Sequence, residues 1–178
     1  MNDAVTTGAL ADFEQARPRL FGIAYRMLGS ATEAEDIVQD AWLRWQGVTD
    51  DVDNPTAYLA TITTRLSLTA LESARMRRES YIGPWLPEPV DTSADPLLGA
   101  ERAEALSLAV LLLLERLTGA ERAAYVLREA FAYSFRDIAG VLETTEENAR
   151  QLASRARAHL SRDRDRIGLH PQRAAFGA

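Results

Sequence analysis

Two residue types are missing from the chain and a third is nearly so. Cysteine is absent, which excludes disulfide frameworks, thiolate metal sites and thiol nucleophiles, and fits a reducing compartment. Lysine is absent as well, so all 20 basic residues are arginine. A P-loop lysine, a Schiff-base lysine and a lysine general base are thereby excluded. His159 and His170 are the only histidines, so a histidine metal site or a Ser–His triad would have to be built around one of these late residues. Ser154 and His159 cannot serve, because five residues apart on one helix they point in different directions. Long apolar runs are missing too. The longest, Leu108 to Leu114, falls well short of the roughly 18 residues of a membrane span and reads as a buried helix segment. Met1 to Leu10 has neither a positive charge nor an apolar stretch, so no secretory signal is expected. These absences lead to a cytoplasmic protein with no catalytic residues, no metal and no cofactor.

The 178 residues allow one or two domains and a real apolar core. Net charge is −6, but the total hides a gradient. Residues 1–82 hold 8 Arg against 12 acids, residues 100–178 hold 12 Arg against 11, and from Asn148 onward there are 7 Arg against 2 acids. An acidic body with a basic carboxy-terminal helix suits a nucleic acid held locally, and equally a solvated helix face.

Helical periodicity runs through nearly the whole chain, so the fold class is all-α. A first helix is expected from about Ala9 to Leu28, with Phe13, Leu20, Phe21, Ala24 and Leu28 on one face, ending at Gly29. Ser30 and Glu33 form a capping box for a second, reaching about Trp45, with Ile37, Val38, Ala41, Trp42 and Trp45 at three/four spacing. Asn54 before Pro55 opens a third through Tyr58, Leu59, Ile62 and Leu66 to about Glu79. These three make one small bundle.

Pro84, Pro87, Pro89 and Pro96 then mark a semi-rigid linker over residues 83–99. Tyr81, Ile82, Trp85 and Leu86 give it an apolar side that packs against something. A helix from about Leu98 to Leu117 follows, and Thr118 with Glu121 caps the next, which runs through Val126, Leu127 and Phe131. The last part reads as helix, tight turn, helix: Ser134 to Leu142, Glu143-Thr-Thr145, and Glu146 to about Arg166. Ile138, Ala139 and Leu142 face Ala149, Leu152, Ala153 and Ala156, which gives the crossed packing of a helix-turn-helix. Arg150, Gln151, Ser154, Arg155 and Arg157 are left outside, a cationic row suited to a major groove, or a solvated face on a plain helical hairpin.

The stretch Arg17-Pro-Arg-Leu-Phe-Gly-Ile-Ala-Tyr-Arg-Met-Leu-Gly-Ser30, then Ala34-Glu-Asp-Ile-Val-Gln-Asp-Ala-Trp-Leu-Arg44 and Asn54-Pro-Thr-Ala-Tyr-Leu59, resembles region two of the extracytoplasmic-function sigma factors of bacterial RNA polymerase. Leu117-Thr-Gly-Ala-Glu-Arg122, Leu127-Arg-Glu129 and the helix-turn-helix resemble region four. The likeness covers residues 10 to 165 or so. It implies a two-domain protein: region two in 1–82, a linker in 83–99 and region four in 100–170; the short tail 171–178, uncharged beyond Arg173, is expected to be disordered. The linker motif Tyr81-Ile-Gly-Pro-Trp-Leu-Pro-Glu-Pro89 is similar to a subgroup that often carries a further carboxy-terminal domain of small-ligand-binding type. With the chain ending at Ala178, that domain is expected to be missing.

The resemblance implies core RNA polymerase and promoter DNA as partners, with an anti-sigma factor or a protease as regulators; small apolar endings such as Ala-Ala-Phe-Gly-Ala178 are recognised by bacterial proteases. Asp36, Gln39, Asp40 and Leu43 share one face of the second helix, an acidic and apolar strip suited to a partner coiled coil, which the resemblance makes the polymerase clamp helices. A solvated acidic face is the plain alternative. On the third helix Tyr58, Arg65, Arg75, Arg77 and Arg78 would hold single-stranded promoter DNA. Thr144, Thr145, Glu147, Arg150, Gln151, Ser154, Arg155 and Arg157 would read the duplex.

The sequence departs from the family pattern in two places. Thr69, Ala70 and Glu72 stand where family members carry an acid and further arginines, so the melting face is less cationic. Glu143 replaces the usual turn glycine, and Glu146 and Glu147 open the reading helix, where they suit the macrodipole, repel phosphate and could accept from cytosine amino groups. Two functions follow: a sigma factor directing promoter-specific initiation, or a sigma-like interaction protein that docks on polymerase or another regulator without opening DNA.

Overall fold

A computed structural model describes residues 2–48, 52–78 and 108–167, with side chains at 8–48, 52–74 and 111–163. All regular structure among the described residues is helical. Helix α1 spans Asn2–Leu28, starting earlier than expected and carrying Pro18 on an exposed stretch. Gly29 ends it in the left-handed region at φ 72, with its N–H donating to Tyr25 O at 2.7 Å. Ser30 Oγ accepts from Glu33 N and opens α2, Ala31–Gln46, and Asn54 Oδ1 accepts from Ala57 N at 3.0 Å to open α3, Pro55–Arg78. The three helices pack on one another. Thr63, Thr64 and Ser67 are completely buried on α3. Thr64 and Ser67 satisfy their hydroxyls by donating to the carbonyls of Ala60 and Thr63, which lets small residues sit where a bulky core side chain would hold the helices apart.

In the second half, α4 covers Leu108–Leu114 and α5 covers Gly119–Tyr125, the latter opened by a reciprocal capping box between Thr118 and Glu121. The expected helix through Phe131 is not uniform. Val126–Ala130 forms a π turn, followed by Ala132 in the left-handed region at φ 57. Val126, Leu127, Ala130 and Phe131 are all buried. Ser134 and Asp137 form a further capping box for α6, Phe135–Leu142. Helix α7, Glu146–Ile167, crosses α5 and α6. The proline-rich linker, its apolar residues, the first part of the helix expected from Leu98 and the tail all lie outside the described residues.

Both expected bundles are present, and they are in contact. Residues 22–28 of α1 and Gly29 after it are all buried, although the spacing assigned this helix a single apolar face. One side is covered by α2 and α3, and the other meets the second bundle. Arg122 Nη1 donates to Met27 O at 2.6 Å, Arg19 Nη2 donates to Phe131 O at 3.2 Å, and Arg26, 2% exposed, lies with its Cζ 5.1 Å from the Phe131 ring centre. Buried residues of the two bundles merge into one apolar cluster across this seam.

Candidate functional site

On α2, burial of Ala34, Ile37, Val38, Ala41 and Trp45 turns Asp36, Gln39, Asp40 and Leu43 outward together, all four exposed. Leu43 is 58% exposed, the most exposed large apolar side chain among the described residues. An apolar residue among acids on an uncovered helix face suits a partner helix better than water. The strip expected from spacing is therefore one continuous surface.

On α3, Tyr58 and Arg65, seven residues apart, share a face and each contacts another element. Tyr58 is 40% exposed, its ring tilted against Trp45 at 5.8 Å. Arg65, expected to face a DNA strand, reaches across the seam instead: Nε donates to Val141 O and Nη2 to Gly140 O, both at 3.0 Å, and Nη2 lies 3.2 Å from the Glu143 carboxylate. The last carbonyls of a helix carry partial negative charge, and a guanidinium fork satisfies two of them at once. Arg75, Arg77 and Arg78 lie in the last turn of α3, with side chains outside those described. Of the departures from the family pattern, Thr69 donates to Arg65 O at 3.1 Å and Glu72 is exposed.

The helix-turn-helix has the expected turn, and Glu143 bears it by adopting φ 53, ψ 46. Its N–H and that of Thr144 return to Ala139 O, the pattern a glycine supplies at less cost. Thr144 and Thr145 spend their hydroxyls inside the motif. Thr145 Oγ1 accepts from Asn148 N at 3.1 Å and Thr144 Oγ1 from Asn148 Nδ2 at 2.8 Å, which caps α7 and orients it. Beyond the turn, Glu147, Arg150, Gln151, Ser154, Arg155 and Arg157 are exposed, while Ala149, Leu152, Ala153, Ala156 and Leu160 are buried.

Each exposed arginine of this row has a carboxylate partner that spacing alone did not reveal. Arg150 pairs with Glu146 at 2.8 Å, Arg155 with Glu121 at 3.8 Å, and Arg157 with Glu129. Only the first is a same-helix pair with a readable spacing; the others join residues far apart in the chain. The hydrogen bond that Arg157 donates to the Glu129 carboxylate holds the guanidinium above its ordinary pKa. These three guanidinium groups are all well exposed, so their pairs add little stability and can be exchanged for phosphate. Two residues lie within stretches named from the sequence but had no role of their own there: Phe135, over whose ring lie the guanidinium groups of both Arg128 and Arg150, and Arg128 itself. A ring at the first position of α6 looks like core in sequence and carries no sign of its cationic neighbours.

No described helix is long and apolar enough to cross a membrane. Comparison with known proteins gives Sigma-70 region 2 over residues 13–77 and Sigma-70, region 4 over residues 107–160. The chain is 48% identical over 151 residues to the ECF RNA polymerase sigma factor SigJ of Mycobacterium tuberculosis, covering 83% of this chain and 48% of that protein. It is 35% identical over 159 residues to a probable ECF sigma factor of the same species, SigI, covering 87% of this chain and 55% of the relative. It thus spans about half the length of these curated relatives. The crystal structure of SigJ superposes with a TM-score of 0.66 at 41% identity, over 85% of this chain and 53% of that one. The sigma factor RpoE of Bartonella quintana, solved in complex with the anti-sigma factor NepR, shares the fold with a TM-score of 0.63 at 22% identity, over 89% and 95% of the two chains. With region two and region four matched in order, and with such identity to SigJ, the chain belongs to the extracytoplasmic-function sigma factors.

Proposed function

We propose that this chain binds bacterial core RNA polymerase through the outward strip of α2, reads an upstream promoter element with α7 and directs transcription initiation, catalysing no covalent reaction itself. The observation that carries this reading is the pairing, in one molecule, of an uncovered acidic and apolar α2 strip with a helix-turn-helix whose α7 face is arginine-rich. We take residues 1–82 as the polymerase-binding and promoter-opening part, 83–99 as the joint and 100–170 as the duplex-reading part. The place of action is the bacterial cytoplasm, where the polymerase works.

Arg65 has a double duty in this reading. In the arrangement described, its guanidinium is occupied by Gly140, Val141 and Glu143, so it meets single-stranded DNA with Tyr58 only after α3 and α6 part. Arg75, Arg77 and Arg78 would extend that strand-binding surface. Docking of an anti-sigma factor, as in the RpoE–NepR complex, is a natural means of regulation for a chain with this fold.

A second reading, an interaction protein that docks on polymerase or on another regulator without opening DNA, draws on Thr69, Ala70 and Glu72, which leave the middle of α3 without added positive charge. Purified core enzyme separates the two. Co-elution with core followed by single-round transcription from a cognate promoter is the expected result; stable co-elution without a transcript from any template would favour the second reading, and no association with core would defeat the first and leave the second only with a partner other than polymerase.

A further inference from the structure

We propose that the cleft beside the seam binds a small phosphate ester, gripped by Arg19 of the first bundle and Arg136 of the second, and that the bound ester holds the two bundles together. The cleft measures about 620 Å³ and lies between α1 with the start of α3 on one side and the Phe131–Tyr133 turn with α6 on the other. That is the size of a metabolite site, larger than a free phosphate needs, and the junction of two helical bundles is a common place for one.

Its lining is rich in unspent donors and poor in free acceptors. Arg19 lies with its Cζ 5.6 Å from the Phe131 ring centre and 5.1 Å from that of Tyr133. Its Nη2 donates to Phe131 O, and its Nε is buried without a hydrogen-bond partner. Arg136 is exposed. Among the described residues neither guanidinium pairs with a carboxylate. Asp137, the one acid on the lining, spends its Oδ2 on the hydroxyl and N–H of Ser134 at 2.6 and 3.3 Å, and the carbonyls of Gly140 and Val141 already accept from Arg65. On the facing wall Asn54 commits Oδ1 to Ala57 N at 3.0 Å, which leaves its amide N–H groups for the cleft, and the Thr56 hydroxyl is uncommitted. Two cations against one engaged carboxylate leave the cleft with a net positive charge, which selects an anion. One guanidinium fork fills the two oxygens of a carboxylate, whereas forks from two bundles and a hydroxyl match the three terminal oxygens of a phosphate ester. Ala57, Ala132 and Val141 give the organic part an apolar wall.

Because the donors come from both bundles, the ester binds only the arrangement in which they are in contact and stabilises it by mass action. In that arrangement Arg65 is occupied by Gly140, Val141 and Glu143. On the reading of this chain as an initiation factor, on which this consequence rests, the ester therefore opposes the parting of α3 and α6 and lowers initiation.

The test titrates the full chain by calorimetry with adenosine monophosphate, glucose phosphate, inorganic phosphate, adenosine and a single-stranded oligonucleotide, and follows thermal melting with each. The expected result is saturable one-to-one binding of at least one ester with a raised melting temperature, weaker binding of inorganic phosphate and none of adenosine. Arg136 has no carboxylate partner, so Arg136→Gln should melt as the wild type does without ligand and bind the ester about tenfold more weakly or worse. Thr56→Val should weaken it in the same direction. Failure of both esters to bind, or full affinity in Arg136→Gln, would overturn the site. Inorganic phosphate binding as tightly as the esters would overturn the ester in favour of the free anion, and binding of the oligonucleotide alone would overturn it in favour of a DNA strand. In single-round transcription with core polymerase, the tighter ester should lower the yield for the wild type and spare Arg136→Gln, and equal yields with and without it would overturn the regulatory consequence. A chain that binds the ester but supports no transcript in its absence would defeat the initiation reading and leave the site standing.

Discussion

Arg65 and Glu143 stand 3.2 Å apart across the seam between the two bundles, the first on the helix proposed to meet single-stranded DNA and the second at the turn that aims the helix proposed to read the duplex. Arg65 is partly and Glu143 largely exposed, so the ion pair itself contributes at most about 1 kcal/mol. The paired bonds from Arg65 to the carbonyls of Gly140 and Val141 contribute more, on the order of 1.5–3 kcal/mol each if fully shielded, and less at this partly exposed site. Arg65→Ala should therefore lower the melting temperature by a few degrees, Arg65→Lys should recover only part of that because an ammonium cannot fork across two carbonyls, and Glu143→Gln should cost less than either. Equal losses for Arg65→Ala and Glu143→Gln would place the stabilisation in the ion pair instead.

Gly22 lies at the seam, beside Arg26 of its own helix and Phe131 of the second bundle. A Cβ built there would lie 2.7 Å from Arg26 Nη1 and 3.2 Å from the Phe131 ring, whereas at Gly140 nothing lies within 4 Å. Overpacking of this kind costs about 1–3 kcal/mol, and replacing an exposed helical glycine by alanine gains up to about 1 kcal/mol. Chemical denaturation should show Gly22→Ala destabilised and Gly140→Ala unchanged or stabilised. An unchanged midpoint for Gly22→Ala would mean that the seam does not hold in solution.

The local signals were legible in the sequence and the long-range ones were not. Ser30, Asn54, Thr118 with Glu121 and the turn at 143–145 each announce a boundary through chemistry confined to a few residues, and the helices begin and end there. The outward strip of α2 and the row on α7 follow from three/four spacing. Arg122 to Met27 O, Arg19 to Phe131 O and Arg157 to Glu129 join residues 95, 112 and 28 positions apart, and no periodicity encodes such pairings. The charge-poor run from Leu20 to Gly29, interrupted only by Arg26, is the signal that could have shown α1 to be enclosed on both sides. The π turn at 126–130 left no mark, because Val-Leu-Arg-Glu-Ala is an ordinary helical string whose wider turn is set by packing.

Asp40 sits on the exposed strip of α2 beside Leu43, where charge reversal disturbs no buried contact. Asp40→Arg is expected to abolish association with core polymerase while the far-ultraviolet circular dichroism and melting temperature stay at wild-type values. A variant that co-elutes with core enzyme as the wild type does would show that the docking face lies elsewhere.

Burial raises the pKa of the Tyr133 phenol above 10.0, against an opposing pull from the neighbouring Arg19 guanidinium. The folded chain then holds this proton to a higher pH than the unfolded chain. The contribution is fully present below about pH 10 and is lost as pH rises through the folded-state value. Melting temperatures taken from pH 8 to 11 should fall more steeply for the wild type than for Tyr133→Phe above pH 10 and run parallel below it. Parallel curves throughout would mean that the phenol is solvated.

Sequencing the 5′ ends of transcripts made in vitro by core polymerase, with and without this chain, on fragmented genomic DNA from its own source tests the central claim most directly. The account predicts new starts that depend on the chain and share two short upstream elements at fixed spacing, lost with Asp40→Arg. An identical set of starts with and without the chain would contradict it.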